Sequence, residues 1–346
     1  MDSALKNLIK VSVLMPVFNG AKYLRESIES ILSQDFSDYE FIIINDGSTD
    51  ESVEIIKSYN DARIKLISNE KNLGLISTLN KGIQLCKGEY IVRMDCDDIS
   101  FKDRIKFQVA FMDKYKNIGA SGSFYKLLRN NKSLDFNFPV HYNETKAFLF
   151  FNSPIAHPAS IIRRSVLIDN NIFYKSDFKH AEDFRLWLDI SKHSDLANIK
   201  KILLLYRVHE NQITGNLNLS FDKNKSLNII RTEQLEKLSI YPSVEQMILH
   251  TTICEGTKFK TFSQLVLADE WLLQLTLKNK EKLIFNHLYF QKIILERWLR
   301  ACINFLGIKK GISFFIKSKT YKMINLPFKL KLELLISFYN SWKRKN

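Results

Sequence analysis

The chain has 346 residues, of which 45% are hydrophobic and 25% charged, so it can bury a sizeable core and is too apolar to be disordered. Its four scattered cysteines form no C-x-x-C pair, which argues against a disulfide framework or a zinc knuckle and favours a reducing compartment. No run approaches the roughly 18 apolar residues of a membrane span, and the first ten residues lack the apolar core of a signal peptide. We therefore expect a cytoplasmic protein.

The positive charge is concentrated towards the C-terminus. Residues 216–346 contain 22 Lys and Arg against 10 Asp and Glu, which accounts for +12 of the net charge of +14. Residues 1–215 are close to neutral. This asymmetry predicts a boundary near Gly215 between a catalytic body and a basic part that meets an anionic partner.

The first half of the sequence alternates strand and helix signals. Strands are predicted at Val11–Val17, Phe41–Ile44, Arg63–Ser68 and Tyr90–Met94, with helices at 21–34, 51–59, 75–86 and over about fifteen residues from Phe101. Ser48 to Glu51 is predicted to form a capping box that opens the second helix. Apolar strands separated by helices predict an α/β class with a mostly parallel central sheet covered on both faces.

Beyond Phe124 the pattern is looser. Strands are predicted at Ala159–Arg163 and Ile199–Tyr206, with a helix from about Glu182 to His193 between them. From about Leu217 the sequence is mainly helical and poor in glycine and proline.

Three of the predicted strands end in polar turns. Asn19, Asp46 and the run Asp95-Cys96-Asp97-Asp98 follow the first, second and fourth strands. Ligands of open α/β sheets bind outside the carboxyl ends of the strands. Asp95 and Asp97, two residues apart, could both reach one Mg²⁺ or Mn²⁺ that also binds substrate phosphates. A lone D-x-D is more often a solvated acidic turn, but its position after a buried strand favours the metal site.

Each further candidate also has a structural interpretation. Asp46 could bond a nucleoside or form an Asx-type turn with Gly47. Glu182 and Asp183 begin a helix, where the helix dipole alone favours acidic residues. His209, after Tyr206-Arg207-Val208, could meet a diphosphate or metal or lie on ordinary surface.

Taken together, these segments resemble the family 2 glycosyltransferases, which have the nucleotide-sugar-binding A-type fold. The resemblance covers roughly residues 9–215 and is greatest to bacterial enzymes that build lipopolysaccharide, O-antigen or capsule chains. The segments that carry it are Val11 to Asn19, Ile44 to Asp50, Asn72-Leu73-Gly74, Arg93 to Asp98, Ala181-Glu182-Asp183 and Tyr206 to His209.

The resemblance implies roles for individual residues. Asp97, with Asp95 and His209, would hold Mn²⁺ or Mg²⁺, and Asp183 would be the base of an inverting transfer. Cys96 stands where the family often has a small alanine, so we expect no loss of function there. The residues expected to bind the donor, with Pro16 and Phe18 framing the uracil and Asp46 bonding the base, are Pro16, Phe18, Asn19, Asp46, Asn72, Arg93, Asp95 and Cys96.

The resemblance also implies the division of the chain and its substrates. Residues 9–124 would form the donor half and residues 125–215 the acceptor half of a catalytic domain, followed by a helical basic region at 216–346. The expected reaction moves a hexose or N-acetylhexosamine from a nucleotide sugar, expected to be UDP-linked, to a hydroxyl of a glycan or lipid-linked glycan.

The C-terminal region interleaves basic and aromatic residues. This pattern fits an interfacial helix on an anionic membrane, which would make the enzyme peripheral on the inner face of the cytoplasmic membrane. It fits equally a helical cap whose aromatic residues form a buried core. The aromatic residues concerned are Phe305, Phe314, Phe315, Tyr321, Phe328, Phe338, Tyr339 and Trp342. Nucleic acid is not an expected partner, because the front domain has no basic recognition element.

Three other functions share parts of this pattern. A dinucleotide-dependent oxidoreductase needs G-x-G-x-x-G after its first strand, and only Gly20 is found there. A lipid-phosphate sugar synthase of the same fold would use a phosphate nucleophile that needs no strong base. A non-catalytic sugar-nucleotide-binding protein would not need both Asp97 and Asp183.

Overall fold

A computed structural model of the chain describes residues 9–130, 132–210, 220–328, 330–332 and 334–335. The chain divides into two compact units. Residues 1–145 and 153–226 form the first, here called the α/β unit, and residues 146–152 and 227–346 form the helical unit. The predicted boundary residue Gly215 lies outside the described residues.

The described part of the α/β unit contains one nine-stranded sheet. Its strands are β1 (Val11–Val17), β2 (Tyr39–Asn45), β3 (Ile64–Ser68), β4 (Tyr90–Arg93), β5 (Ile99–Ser100), β6 (Ile118–Arg129), β7 (Lys132–Phe136), β8 (Ile161–Arg163) and β9 (Asp195–Arg207).

The order across the sheet is β3-β2-β1-β4-β8-β6-β9-β5, with β7 paired to β6 outside this path. The first four strands are mutually parallel. Beyond β4 the sheet is mixed, because β8 runs antiparallel to both β4 and β6, whereas β6 and β9 are parallel. The predicted α/β class is confirmed, and the four predicted front strands are confirmed to within a few residues.

The helices of the α/β unit cover the sheet. They are α1 (Ala21–Leu32), α2 (Ser52–Lys57), α3 (Leu75–Leu85), α4 (Arg104–Lys114), α6 (Arg164–Asp169) and α7 (Glu182–Ile190), whereas α5 (Tyr142–Phe148) and α8 (Ser220–Lys237) each extend from one unit into the other. Every residue of β1 and β2 is buried, as expected for parallel strands covered on both faces. Their core includes Val13, Phe41 and Ile43 with Leu24 and Ile28 of α1.

The capping-box prediction for the second helix is wrong. Helix α2 begins at Ser52, and its N-cap residue Glu51 makes no side-chain cap hydrogen bond. Asp50 instead accepts hydrogen bonds from the backbone N–H groups of Ser52 and Ala21, both at 3.0 Å. The segment after β2 is therefore fastened to the start of α1.

Strand β6 was not predicted, although it is twelve residues long. Its first half contains Gly119 and Gly122, where small residues are needed because neighbouring chains approach closely. A Cβ atom at Gly119 would lie 1.9 Å from Ser194 Oγ, and one at Gly122 would lie 2.3 Å from Asn198 Oδ1. These small residues interrupt the apolar run that identifies a buried strand.

The helical unit has its own core. It contains α9 (Val244–Glu255), α10 (Phe262–Lys282), α11 (His287–Leu306), α12 (Ile308–Lys317) and α13 (Lys319–Met323). Phe305, Phe314, Phe315 and Tyr321 pack in or against this core, Phe328 is exposed, and Phe338, Tyr339 and Trp342 lie outside the described residues. Within the described ranges, no helix combines the length and apolar character needed to cross a bilayer.

Gly88, between α3 and β4, offers a test of the packing of the sheet. A Cβ atom there would lie 2.4 Å from the backbone nitrogen of Ser12 and 2.6 Å from the carbonyl carbon of Val11, so β1 would have to move. We expect Gly88→Ala to lower the free energy of unfolding by about 1–3 kcal/mol. Urea denaturation measures this, with Lys87→Ala at the exposed neighbouring position as the control. Equal stability of the two variants would contradict the packing.

Candidate active site

Three carboxylates converge immediately after β4. Asp95, Asp97 and Asp98 each offer an oxygen, and these oxygens lie within 4.8 Å of one another. Asp98 is fully buried, whereas Asp95 and Asp97 are partly exposed. Oxygen ligands at this spacing suit a hard divalent cation. The predicted pair therefore occurs in an acidic cluster of three.

The electrostatics of the acidic cluster favour a cation. Burial raises the pKa of Asp98 well above its usual range, and the charges of Asp95 and Asp97 raise it further. Asp98 Oδ1 accepts a hydrogen bond from the backbone N–H of Arg207 at 2.9 Å, but its buried Oδ2 has no partner among the described residues. Carboxylates arranged in this way are destabilised unless positive charge compensates them. The donor set thus fits Mg²⁺ or Mn²⁺.

The C-terminal end of β9 meets the acidic cluster because the two-residue strand β5, which follows Asp98, pairs antiparallel with β9. His209 Nε2 lies 2.9 Å from Asp97 Oδ2, and Arg207 Nε donates to the Asp97 carbonyl at 3.0 Å. The His209 ring also packs on Tyr23 of α1, with ring centroids 4.8 Å apart. The structure therefore brings His209 to the acidic cluster, beside the predicted metal ligand Asp97.

Cys96 shows why a small residue is needed in the middle of the motif. A Cβ atom at Gly20 would lie 2.9 Å from Cys96 Sγ, so the thiol packs directly against the loop after β1. The Cys96 carbonyl accepts a hydrogen bond from Ser27 Oγ at 2.8 Å. Burial raises the pKa of the thiol, and the neighbouring aspartates raise it further. Cys96 is therefore a protonated packing residue.

The two residues predicted to frame a uracil differ in exposure. Phe18 is 47% exposed, whereas Pro16 is buried in β1 opposite Ile44. Asn19 follows with a positive φ of 49°, and its side-chain oxygen accepts a hydrogen bond from the backbone N–H of Thr49 at 2.9 Å. Of the predicted pair, Phe18 is thus the ring accessible to a ligand.

Asp46 holds the loop of residues 69–74. Its Oδ1 accepts hydrogen bonds from Asn69 Nδ2 at 2.8 Å and from the Leu73 N–H at 2.9 Å, and its Oδ2 accepts one from the Gly74 N–H at 2.9 Å. Asn72 Oδ1 accepts a further bond from the Gly74 N–H. These hydrogen bonds join Asp46 to residues 23 to 28 positions later and are not those of an Asx-type turn with Gly47. The contact of Asp46 with a base stays a prediction.

Arg93 contacts the acidic cluster at Asp95, and its charge also acts on Asp183. The buried Arg93 donates from Nη1 to Asp95 Oδ2 at 2.5 Å, and its Nε has no partner among the described residues. Asp183 is the second residue of α7, and its Oδ2 accepts a hydrogen bond from Ser153 Oγ at 3.0 Å. Burial raises the pKa of Asp183 above its usual value, and the hydrogen bonds from the Phe184 N–H and Ser153, with the Arg93 charge, offset only part of this. Arg93 therefore acts electrostatically on both the predicted base and the acidic cluster.

Sequence reasoning missed a pair beside Arg93, in which Tyr174 is buried and His157 is partly exposed. His157 Nε2 lies 2.6 Å from the Tyr174 hydroxyl. Burial lowers the pKa of His157 well below its usual range, and the Arg93 charge lowers it further. An isolated histidine and tyrosine seventeen residues apart, in a region of loose pattern, give no signal that they meet.

The comparisons with known proteins identify the family. The family described as Glycosyl transferase family 2 matches residues 12–170. An uncharacterized glycosyltransferase of Haemophilus influenzae is 34% identical over 244 residues, which are 67% of this chain and 75% of that protein. The chain belongs to glycosyltransferase family 2. Several other curated relatives are longer, and the chain spans 36%, 30% and 35% of three of them.

Solved structures confirm the fold of this glycosyltransferase. S. aureus TarS 1-349 in complex with UDP-GlcNAc matches with a TM-score of 0.58 and 19% identity, over 90% of this chain and 89% of that chain. The mannosyltransferase PcManGT from Pyrobaculum calidifontis, in complex with GDP-Man and Mn²⁺, matches with a TM-score of 0.52 and 15% identity, over 97% and 88% of the two chains. The predicted A-type fold is confirmed.

Glu182 predicts how stability depends on pH. Burial, and then the Asp183 charge, raise its pKa from 4.5 to about 7. The folded protein therefore binds the Glu182 proton more tightly than the unfolded chain does. The free energy of unfolding falls as pH rises from about 4.5 to about 7. We expect Glu182→Gln to lose less free energy of unfolding than the wild type between about pH 5 and about pH 8.

Urea titrations at both pH values without divalent cations measure the effect of Glu182→Gln. Glu54→Gln on the exposed face of α2 is the matched control. An identical pH dependence in the wild type and both variants would show that Glu182 does not carry a raised pKa.

Proposed function

We propose that this glycosyltransferase transfers a hexose or N-acetylhexosamine from a UDP-linked donor to a glycan hydroxyl with inversion, using a divalent cation. The observation that carries the proposal is the convergence of the Asp95, Asp97 and Asp98 oxygens within 4.8 Å, with a buried Asp98 oxygen that lacks a partner. A cation at this place would offset the mutual repulsion of the acidic cluster.

Asp97, with Asp95 and His209, would hold the cation, either Mn²⁺ or Mg²⁺. The Mn²⁺ of the Pyrobaculum calidifontis mannosyltransferase complex supports this assignment. When bound, such a cation supplies Lewis-acid stabilisation of the charge that develops on the departing diphosphate. The hydrogen bond from Arg93 at 2.5 Å neutralises part of the Asp95 charge. Asp97 is therefore the first choice for direct coordination of the cation.

The nucleotide would bind at the ends of β1 and β2. Phe18 is exposed there, and the loop that Asp46 fastens carries the exposed Asn72. The UDP-GlcNAc complex of S. aureus TarS supports a UDP-linked donor. We assign Phe18 to contact with the base. Asp46 and Asn72 are assigned to the adjoining polar groups of the nucleoside.

Asp183 would accept the proton of the attacking hydroxyl. Its hydrogen bond from Ser153 fixes the orientation of the carboxylate, and the Arg93 charge favours the ionised form that a base requires. Attack from the face opposite the leaving group inverts the anomeric centre, so an α-linked donor gives a β product. No covalent sugar–enzyme intermediate is required.

The acceptor would belong to a surface polysaccharide or lipopolysaccharide, assembled at the inner face of the cytoplasmic membrane. The helical unit supports peripheral binding there, because α12 exposes Lys309, Lys310 and Lys317 together with the 43%-exposed Ile316. Basic residues beside apolar ones favour an anionic lipid surface.

The cation assignment is tested by calorimetry of UDP binding with and without Mn²⁺. We expect Asp97→Ala to weaken the Mn²⁺-dependent part of the affinity at least about tenfold, since a ligand to the cation is lost. Asp135→Asn, on the partly exposed β7, is the control. Unchanged Mn²⁺-dependent affinity in Asp97→Ala would refute the assignment.

The base assignment is tested by turnover. We expect Asp183→Asn to lower kcat at least about 10²-fold while UDP and Mn²⁺ bind as in the wild type. Asp169→Asn at the end of α6 is the control. Near-normal kcat would remove Asp183 from the role and favour a phosphate acceptor, which needs no strong base.

Peripheral binding is tested by flotation with liposomes that contain anionic lipid. Each lysine near such a surface contributes about 1 kcal/mol, so replacing Lys309, Lys310 and Lys317 with Gln should weaken binding by more than about tenfold. Replacing the exposed Lys258, Lys260 and Lys280 with Gln changes the net charge equally and is the control. Equal flotation of both variants would exclude α12 as the binding element.

A further inference from the structure

Four aromatic side chains that the proposed mechanism does not use form a cluster on the last strands of the sheet. Tyr125 of β6 pairs with Phe136 of β7, and their rings stack with centroids 5.1 Å apart and planes inclined by 7°. The rings of Tyr206 and Phe138 lie 5.4 Å and 5.8 Å from that of Tyr125. All four residues are partly exposed. We call this cluster the aromatic face.

The aromatic face adjoins the acidic cluster. Tyr206 directly precedes Arg207, whose backbone N–H bonds Asp98 and whose guanidinium bonds the Asp97 carbonyl. Tyr125 pairs with Leu204 of β9, which in turn pairs with Ser100 of β5, two residues after Asp98. The aromatic face is thus continuous with the site of transfer.

The order of the strands separates the aromatic face from the proposed nucleotide site. Phe18 and Asp46 follow β1 and β2. Tyr125, Phe136 and Tyr206 of the aromatic face lie on β6, β7 and β9, and β4 and β8 intervene. The acidic cluster follows β4, between these two regions of the sheet. A group bound on the aromatic face would therefore approach the transferred sugar from the side away from the nucleotide.

We propose that the aromatic face binds a pyranose ring of the acceptor glycan, an inference that rests on the proposed transferase function. The face of an aromatic ring carries negative potential and attracts the polarised C–H groups of a sugar ring, while tyrosine hydroxyls exchange hydrogen bonds with sugar hydroxyls. Partly exposed rings with a few polar groups beside a reaction centre are typical of sites for small polar ligands.

The test is saturation-transfer NMR of the full chain with UDP and Mn²⁺, using methyl glycosides of common hexoses and N-acetylhexosamines and their disaccharides as probes. We expect at least one saccharide to bind the wild type, and Phe136→Leu and Tyr206→Ala each to weaken that binding about tenfold. Tyr206→Phe keeps the ring and should retain most of the affinity. Tyr142→Ala, an exposed aromatic of α5, is the control and should bind like the wild type.

UDP calorimetry and thermal unfolding on the same variants separate the possible outcomes. Unchanged UDP affinity with lost saccharide binding in Phe136→Leu and Tyr206→Ala supports the aromatic face as the acceptor site. Saccharide binding that survives both changes, or a wild type that binds UDP but none of the saccharides, overturns the inference while leaving the donor site intact. A wild type that binds no UDP contradicts the proposed function itself.

Discussion

The active site depends on the concentration of negative charge at the end of β4 and on the groups that make this charge tolerable. Three carboxylates lie within 4.8 Å, and one of them is fully buried. Arg93 compensates Asp95 from one side, while His209 and the Arg207 backbone reach Asp97 and Asp98 from the other. The buried Arg104 donates to the Arg93 carbonyl at 2.7 Å and adds positive charge beneath the acidic cluster. Because the compensation is incomplete, the site remains suited to a cation.

Several of these compensating contacts depend on the pairing of distant strands. The two residues of β5 tie the segment after Asp98 to β9, and the register between β6 and β9 shifts near Phe124. Such irregularities increase the local twist and redirect the end of a strand. Arg207 and His209 therefore reach a loop more than a hundred residues earlier in the chain. The aromatic face arises from the same strands, since Tyr125 and Tyr206 belong to β6 and β9.

The proposed base shares its electrostatic environment with the acidic cluster. The Arg93 charge offsets part of the effect of burial, which raises the pKa of Asp183, and the same guanidinium bonds Asp95. Burial, and then the Asp183 charge, raise the pKa of the neighbouring Glu182 to about 7, although the Arg93 charge acts in the opposite direction. Burial thus raises the pKa of both adjacent carboxyl groups, and the Arg93 charge opposes this effect at each of them.

The sequence by itself determined the parallel front of the sheet, the acidic ends of its strands and the residues Asp95, Asp97, Asp183 and His209 as candidates. It could do so because buried parallel strands are continuous apolar runs, and the turns that end them are short and polar. Only the tertiary structure decided that His209 lies on Asp97, that Asp98 completes the acidic cluster and that His157 meets Tyr174 beside Arg93. These contacts join residues far apart in the chain, and β6, which positions β9, is hidden by the small residues that its close packing requires. Periodicity records which face of an element is buried, but not which distant element covers it.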